Sequence, residues 1–235
     1  MIISHSNKFV FFKPLKCAGS SIEAALSKTC KDNDIVVGSI HSGEESMIQN
    51  RNCITSNGRL ILPAHATPEL IKGTVLHDKI SHYKWISAIR NPWDMCVSFW
   101  WWSASETSLP LRMVPNQADD LSTTRRKFKL FLQTQVYFDD IYSGNEILMT
   151  PLNYISSMNN EFSLQNVNYS IRFEHIENDY SEICEMLNIE KYELPMLKSS
   201  QRKIKLSYKA YYDDILQFYV HSKFEEAISD FNYKF

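Results

Sequence analysis

Glycine is scarce in this sequence: only six of its 235 residues are glycine, well below the roughly 7% of an average protein. A glycine at the junction of a strand and a helix is therefore a candidate for a specific role. An excess of one charge is also missing, because 25 Lys and Arg residues against 27 Asp and Glu residues leave a net charge of −2. This balance argues against a nucleic-acid-binding protein that works through a broad basic surface.

Long apolar runs are absent as well. The longest fully apolar runs, Phe9–Phe12 and Phe99–Trp102, are far shorter than the roughly 18 residues that span a bilayer. The first residues lack the pattern of a signal peptide. The five cysteines are odd in number and include no CxxC pair, which favours a reducing compartment over a disulfide framework or a zinc site. We expect a soluble cytoplasmic protein with no membrane partner and no bound metal.

The composition, 44% apolar and 22% charged, is typical of a globular protein, and we expect a single domain over residues 1–235. Apolar runs predict strands at Lys8–Phe12, Arg59–Leu62, Tyr83–Ile89 and Tyr169–Phe173. Helical spacing and capping residues predict helices at Ser20–Leu26, from Thr67, from Pro92, at Arg125–Ile141, at Ser181–Leu187 and within Tyr208–Asp230. This alternation predicts an α/β fold with a central, mainly parallel sheet flanked by helices.

The segment after Phe12 combines a lysine with a run of small residues. Backbone amides at a strand-to-helix turn, together with the positive end of the helix, suit the binding of a phosphate group. Here Lys16 adds a positive charge, and small or hydroxyl side chains follow at Ala18, Gly19, Ser20 and Ser21. The spacing matches neither the Walker A pattern nor GxGxxG. We expect a phosphate cradle; an ordinary turn with a serine cap is the alternative.

A second candidate anion site follows the apolar run at Tyr83–Ile89. Arg90 stands at the end of this predicted strand, and Ser98 comes two helical turns later. An arginine binds an oxyanion through two parallel hydrogen bonds, and a serine hydroxyl donates another. A structural ion pair is the alternative for Arg90. Two such segments after neighbouring strands favour phosphate binding.

Together, KCAGSS (Lys16–Ser21) and RNPWDMCVSFW (Arg90–Trp100) resemble the two signature loops of the PAPS-dependent sulfotransferases, where PAPS is 3′-phosphoadenosine 5′-phosphosulfate. The segment His65–Ser98 is similar to the carbohydrate-type and bacterial branch of that family. The extra residue Leu15 is a small departure from the family pattern. The resemblance implies a P-loop-like sulfotransferase fold.

In that family the first loop holds the 5′-phosphosulfate and the second holds the 3′-phosphate. The resemblance implies that Lys16 contacts the bridging oxygen, and that the same phosphate is held by Cys17, Ala18, Gly19, Ser20 and Ser21. It also implies that Arg90 and Ser98 hold the 3′-phosphate. Related enzymes often add a basic side chain before the last helix, where Arg202 and Lys203 stand in this sequence. A solvated charge run is the alternative for these two residues.

The activity implied is transfer of the sulfuryl group of PAPS to a hydroxyl or amine of a small-molecule or saccharide acceptor, with PAP as product and no metal. His65, after the predicted strand Arg59–Leu62, is the candidate general base because an imidazole titrates near neutrality. A surface or capping histidine is the alternative. A P-loop kinase for a small molecule and a non-catalytic nucleotide-binding module are the competing functions.

All five tryptophans lie between Trp85 and Trp102. A single helix face cannot hold every ring of the run Trp100-Trp101-Trp102. We therefore expect at least one ring to face a cleft or a partner and to help form the acceptor pocket. The polar segment 103–124 is expected to act there as a lid or acceptor loop.

Overall fold

The computed structural model describes residues 1–38, 48, 50–54, 62–106, 109–139, 145–197 and 206–235. The chain divides into two compact units. Unit 1 comprises Met1–Ile89 and Glu161–Leu197, and unit 2 comprises Arg90–Asn160 and Lys198–Phe235. The strands of the described residues are β1 (Ile2–Ser4), β2 (Phe9–Phe11), β3 (Ile35–Val36), β4 (Lys84–Ile89), β5 (Val136–Asp139), β6 (Glu146–Met149) and β7 (Tyr169–Arg172).

Unit 1 is built around a five-stranded sheet with the strand order β3-β1-β2-β4-β7. Strand β4 pairs in parallel with β2 on one side and with β7 on the other. Strand β1 pairs antiparallel with both β2 and β3. The fold is therefore α/β as predicted, but the sheet is mixed and the expectation of a mainly parallel sheet is wrong. The reason is the short connection 5–8 between β1 and β2, which can form a turn but cannot hold the crossover that parallel strands require.

Helices cover this sheet, and one of them begins with a side-chain cap. The helices of unit 1 are α1 (Gly19–Ser27), α2 (Pro68–Lys72), α3 (His77–Ile80) and α7 (Ile176–Leu187). At α2 the Thr67 side chain accepts a hydrogen bond from the amide of Leu70, and Pro68 occupies the first turn, which confirms the predicted start. The predicted strand Arg59–Leu62 lies outside the described residues except for Leu62.

The core of unit 1 explains why β2 reads as an uninterrupted apolar run. Val10 and Phe12 pack in one cluster with Trp85, Ile71 and Ile80. Because side chains alternate across a strand, Phe9 and Phe11 point to the opposite face, and both are fully buried. A strand that is covered on both faces has no polar position.

Unit 2 contains mainly helices around an aromatic core. They are α4 (Pro92–Glu106), α5 (Leu121–Gln133), α6 (Pro151–Asn160), α8 (Asp214–Lys223) and α9 (Glu225–Asp230), with the hairpin of β5 and β6 between α5 and α6. The ring of Trp100 packs against Phe128 and Tyr211. Its indole N–H donates to the carbonyl of Met113 at 2.7 Å. Burial of aromatic surface of this size is a large contribution to the stability of the unit.

Two predicted boundaries in unit 2 are shifted. The helix expected at Arg125–Ile141 begins at Leu121, where Asp120 accepts a hydrogen bond from the amide of Thr123 at 2.6 Å. It ends at Gln133, and Val136–Asp139 is a strand, in keeping with the β-propensity of valine, tyrosine and phenylalanine. The segment 103–124 therefore includes the ends of two helices. Its function as a lid stays a prediction.

The tryptophans of α4 differ in burial. Trp93, Trp100 and Trp101 are buried, whereas Trp102 is half-buried and stacks on Phe99 at a centroid distance of 5.8 Å. Trp102 is thus the most exposed ring of the run, and its place in an acceptor pocket stays a prediction. In the part of the chain that the structure describes, no helix combines the length and the apolar character needed to cross a membrane.

Candidate functional site

The loop between β2 and α1 contains two residues in the left-handed backbone region. The φ angle is 61° at Lys16 and 59° at Ala18. A residue other than glycine pays about 1–2 kcal/mol for this conformation, so the surrounding contacts must hold it in place. Backbone of this kind turns successive amides toward a common point and forms an anion-binding concavity.

Ala18 is the N-cap of α1, although a serine cap was the alternative considered from the sequence. Its methyl group cannot cap the helix, but its carbonyl oxygen accepts hydrogen bonds from the amides of Ser21 and Ile22, at 3.0 and 3.3 Å. Ser20 is half-buried in the first turn. Ser21 is buried, and its hydroxyl accepts a hydrogen bond from the amide of Leu197 at 3.4 Å. An anion is a natural acceptor for amides at such a helix start.

A buried ion pair lies beneath this loop. The Nζ of Lys13 donates to Glu23 Oε2 at 2.7 Å, and the two side chains are 1% and 0% exposed. The amino group of Met1 contacts the other carboxylate oxygen of Glu23. Burial alone would raise the pKa of Glu23, but the positive charges of Met1 and Lys13 hold that pKa below its usual value. Glu23 is therefore an anion in the core.

Gly19 leaves space for the side chain of Lys13. A Cβ atom at position 19 would lie 2.5 Å from Lys13 Cγ, which is closer than packed atoms can approach. Lys13 thus explains why a glycine starts α1 in a sequence that has few. The contact of Gly19 with a phosphate stays a prediction.

His65 contacts a residue at the start of the same loop. Its Nδ1 lies 2.7 Å from the carbonyl oxygen of Lys13. A carbonyl only accepts, so Nδ1 carries the proton and Nε2 of the neutral ring carries a lone pair. Burial, followed by the positive charge of Lys13, lowers the pKa of His65 to about 3. The structure therefore brings the predicted base to the predicted phosphate cradle, in a form that can accept a proton.

The side chains of the loop differ in access to solvent. Lys16 is half-buried. Cys17 is 2% exposed, and its sulfur lies 3.3 Å from the carbonyl oxygen of Leu15. A thiol in this position fills the loop, so any contact of Cys17 with a phosphate is made by its backbone amide. The loop therefore combines a buried thiol with a half-buried ammonium group.

Arg90, in unit 2, is engaged by a carboxylate. Its Nε and Nη2 both donate to Asp94 Oδ2, at 2.9 and 2.6 Å. Arg90 lies just before α4 and Asp94 in its first turn, and Ser98, half-buried, follows Asp94 one turn later on the same face. The alternative of an ion pair for Arg90 is thus what the structure shows, and a phosphate would share the guanidinium with Asp94. Arg202 and Lys203 lie outside the described residues.

Two residues of the site were missed in the sequence. Lys13 and Glu23 each interrupt an apolar stretch, and a charge within a buried pattern is a signal for a paired partner.

No family model, no curated protein and no solved structure matches this chain. Within the described ranges, no group of three or more His, Cys, Asp or Glu side chains is placed to hold a metal ion.

Proposed function

We propose that this chain is a PAPS-dependent sulfotransferase, which moves the sulfuryl group of PAPS to a hydroxyl or amine of a small-molecule or saccharide acceptor and leaves PAP. The observation that carries the proposal is the left-handed backbone at Lys16 and Ala18 directly before α1, with His65 bonded to the start of the same loop. The resemblance of the two sequence segments supports the same function. A P-loop-like sulfotransferase fold and a cytoplasmic location belong to the proposal.

Lys16 and the amides of residues 17–21 are assigned to the 5′-phosphosulfate. The amides at the start of α1 and the positive end of the helix favour the phosphate. The Lys16 ammonium donates to the bridging oxygen, where negative charge develops as the S–O bond breaks. Fixed donors aimed at developing charge are among the largest contributions to catalysis.

His65 is assigned the role of the base that takes the proton from the acceptor. As the new O–S bond (or N–S bond) forms, the proton of the acceptor moves to Nε2 while Nδ1–H stays bonded to the Lys13 carbonyl. The low pKa keeps the ring neutral at neutral pH, but it also makes the free ring a weak base. The negative charge of a phosphosulfate nearby would raise that pKa, because it opposes the effect of Lys13, and so would strengthen the base when the donor is bound.

Arg90 and Ser98 are assigned to the 3′-phosphate on the basis of the resemblance, with Arg202 and Lys203 as additional candidates. A phosphate at Arg90 would make a charge-assisted hydrogen bond of the kind that arginine forms well. Asp94 lowers the net charge that Arg90 presents to such a phosphate. The assignment thus predicts a measurable effect of Asp94 on nucleotide binding.

The test combines titration calorimetry and a transfer assay on the full chain. We expect PAP to bind at least tenfold more tightly than ATP with Mg²⁺, and labelled sulfate to leave PAPS, to water or to acceptors of an alcohol, amine and saccharide panel. Lys16→Met should lower transfer by roughly a hundredfold or more, whereas Lys79→Met, at an exposed position of α3, should not.

Tighter binding of ATP with Mg²⁺ than of PAP would replace the proposal by the kinase. Binding of PAP without any sulfate release would replace it by the non-catalytic module. Equal activity of the Lys16→Met and Lys79→Met variants would overturn the assignment of Lys16 alone.

A further inference from the structure

Three contacts meet at Lys13, which lies in the loop between β2 and α1 and was not part of the predicted site. Its ammonium donates to Glu23 at 2.7 Å, its stem occupies the space beside Gly19, and its carbonyl oxygen lies 2.7 Å from His65 Nδ1. Lysine is almost never fully buried unless its charge is paired. An apolar side chain could fill the same volume and would need no charged partner. Filling space therefore does not explain why this residue is a lysine.

The side chain of Lys13 holds the two ends of the loop together. The loop leaves β2 after Phe11 and enters α1 at Gly19, where the stem of Lys13 packs. Gly19 and Glu23 are four residues apart and therefore lie on the same face of α1. The lysine thus runs along the first turn of the helix from the glycine to the carboxylate, with residues 14–18 enclosed between the contacts.

The same residue controls the ring of His65 through its main chain. The carbonyl of Lys13 can only accept a hydrogen bond, so its position decides which ring nitrogen carries the proton. The side chain of Lys13 is fixed on α1, so the direction of this carbonyl depends on the ion pair. Orientation of a histidine by a carbonyl bonded to its other nitrogen is a general device for holding one tautomer.

We infer that Lys13 is a positioning residue: paired with Glu23, it fixes the loop 14–18 and selects the His65 tautomer that has its lone pair on Nε2. The catalytic consequence rests on the proposed function, but the tautomer does not. The inference assigns a role to a buried pair that contacts neither a phosphate nor an acceptor. This role explains both the buried lysine at position 13 and the glycine at position 19, because the two residues pack against each other.

The test compares two double variants of the full chain. Lys13→Met/Glu23→Gln keeps the stem and removes both charges of the pair, so that no carboxylate is left buried alone, and the amide oxygen introduced at position 23 can still accept from the amino group of Met1. The matched control is Lys129→Met/Asp213→Asn, an ion pair in unit 2 with an N–O distance of 3.1 Å. Nitrogen-15 NMR of the histidine rings reports the tautomer of His65 with no ligand present.

We expect His65 of the wild type and of the control to carry the proton on Nδ1, and the Lys13→Met/Glu23→Gln variant to show a mixture with at least a tenth of the ring protonated on Nε2. In the transfer assay, kcat should fall about tenfold in this variant with the KM for PAPS changed less than threefold. A His65 tautomer that is unchanged in this variant would overturn the inference, even if transfer from PAPS is established. If the wild type shows no transfer activity, the proposed function is overturned, but the tautomer result remains valid.

A second variant keeps the inference testable if the double variant does not fold. Gly19→Ala retains the ion-pairing groups but places a methyl group against Lys13 Cγ. It should disturb the tautomer in the same direction. Gly73→Ala is its control, because a Cβ there would meet its nearest atom at an ordinary 3.6 Å. An unchanged tautomer in Gly19→Ala would likewise contradict the inference.

Discussion

Beneath the loop of residues 13–21 a carboxylate neutralises a lysine, whereas in residues 90–98 a carboxylate contacts the arginine that is predicted to bind the phosphate. Glu23 pairs with Lys13, which is buried, and the lysine assigned to the phosphate is a different residue, Lys16. In the other segment, Asp94 accepts two hydrogen bonds from Arg90.

The effect of a carboxylate on a predicted anion site depends on which basic residue it contacts. A carboxylate paired behind a loop holds the loop in place and leaves the charge of the ligand-binding lysine unaltered. A carboxylate on the ligand-binding arginine orients the guanidinium but repels the anion. The same residue types in a sequence motif can therefore give a strong or a weakened site.

The largest effect is expected at His65, in the first segment. His65→Ala should lower kcat for sulfate transfer by roughly a hundredfold or more, because the acceptor's proton loses its base. PAP should bind as in the wild type, since His65 is not assigned to the nucleotide. Steady-state kinetics and titration calorimetry measure the two quantities, with His82→Ala, at an exposed position, as control. Near-normal turnover in His65→Ala would remove the residue from this role.

The next effect concerns Arg90 and its partner in the second segment. Arg90→Met should weaken PAP binding about tenfold or more, because a charge-assisted hydrogen bond is lost. Asp94→Asn should instead tighten PAP binding about threefold, since it removes the repulsion while an amide oxygen still accepts from Arg90. Titration calorimetry measures the affinity of both variants for PAP. Weaker PAP binding by Asp94→Asn would mean that Asp94 chiefly orients Arg90 and that the contrast between the segments is wrong.

The smallest effect is expected from the backbone of the first segment. Ala18→Gly should raise the free energy of unfolding by about 0.5–1 kcal/mol, because glycine adopts the left-handed region without the steric penalty of alanine. Ala24→Gly, inside α1, should lower it by about 1 kcal/mol or more, because glycine is a poor helix former. Urea denaturation compares the two variants. A destabilised Ala18→Gly variant would show that the loop does not hold alanine in that conformation.

Several features of the fold and site could be predicted because they depend on neighbouring residues. The strand-to-helix turn after Phe12 and the start of α2 at Thr67 are examples. The i,i+4 spacing of Arg90 and Asp94 was visible too, and it would have favoured the ion pair. The helix expected over Arg125–Ile141 was placed too far along, because its apolar positions fit two periodicities and the pairing of β5 with β6 decides between them.

By itself, the sequence determined an α/β chain, a small-residue turn that carries Lys16, and a helix start after it, because turn and capping chemistry acts over a few residues. Only the tertiary structure decided that β1 makes the sheet mixed, that Glu23 takes the charge of Lys13, and that His65 reaches the carbonyl of a residue 52 positions away. The physical reason is that burial and pairing of charge depend on which elements pack together. Sequence spacing does not encode that packing.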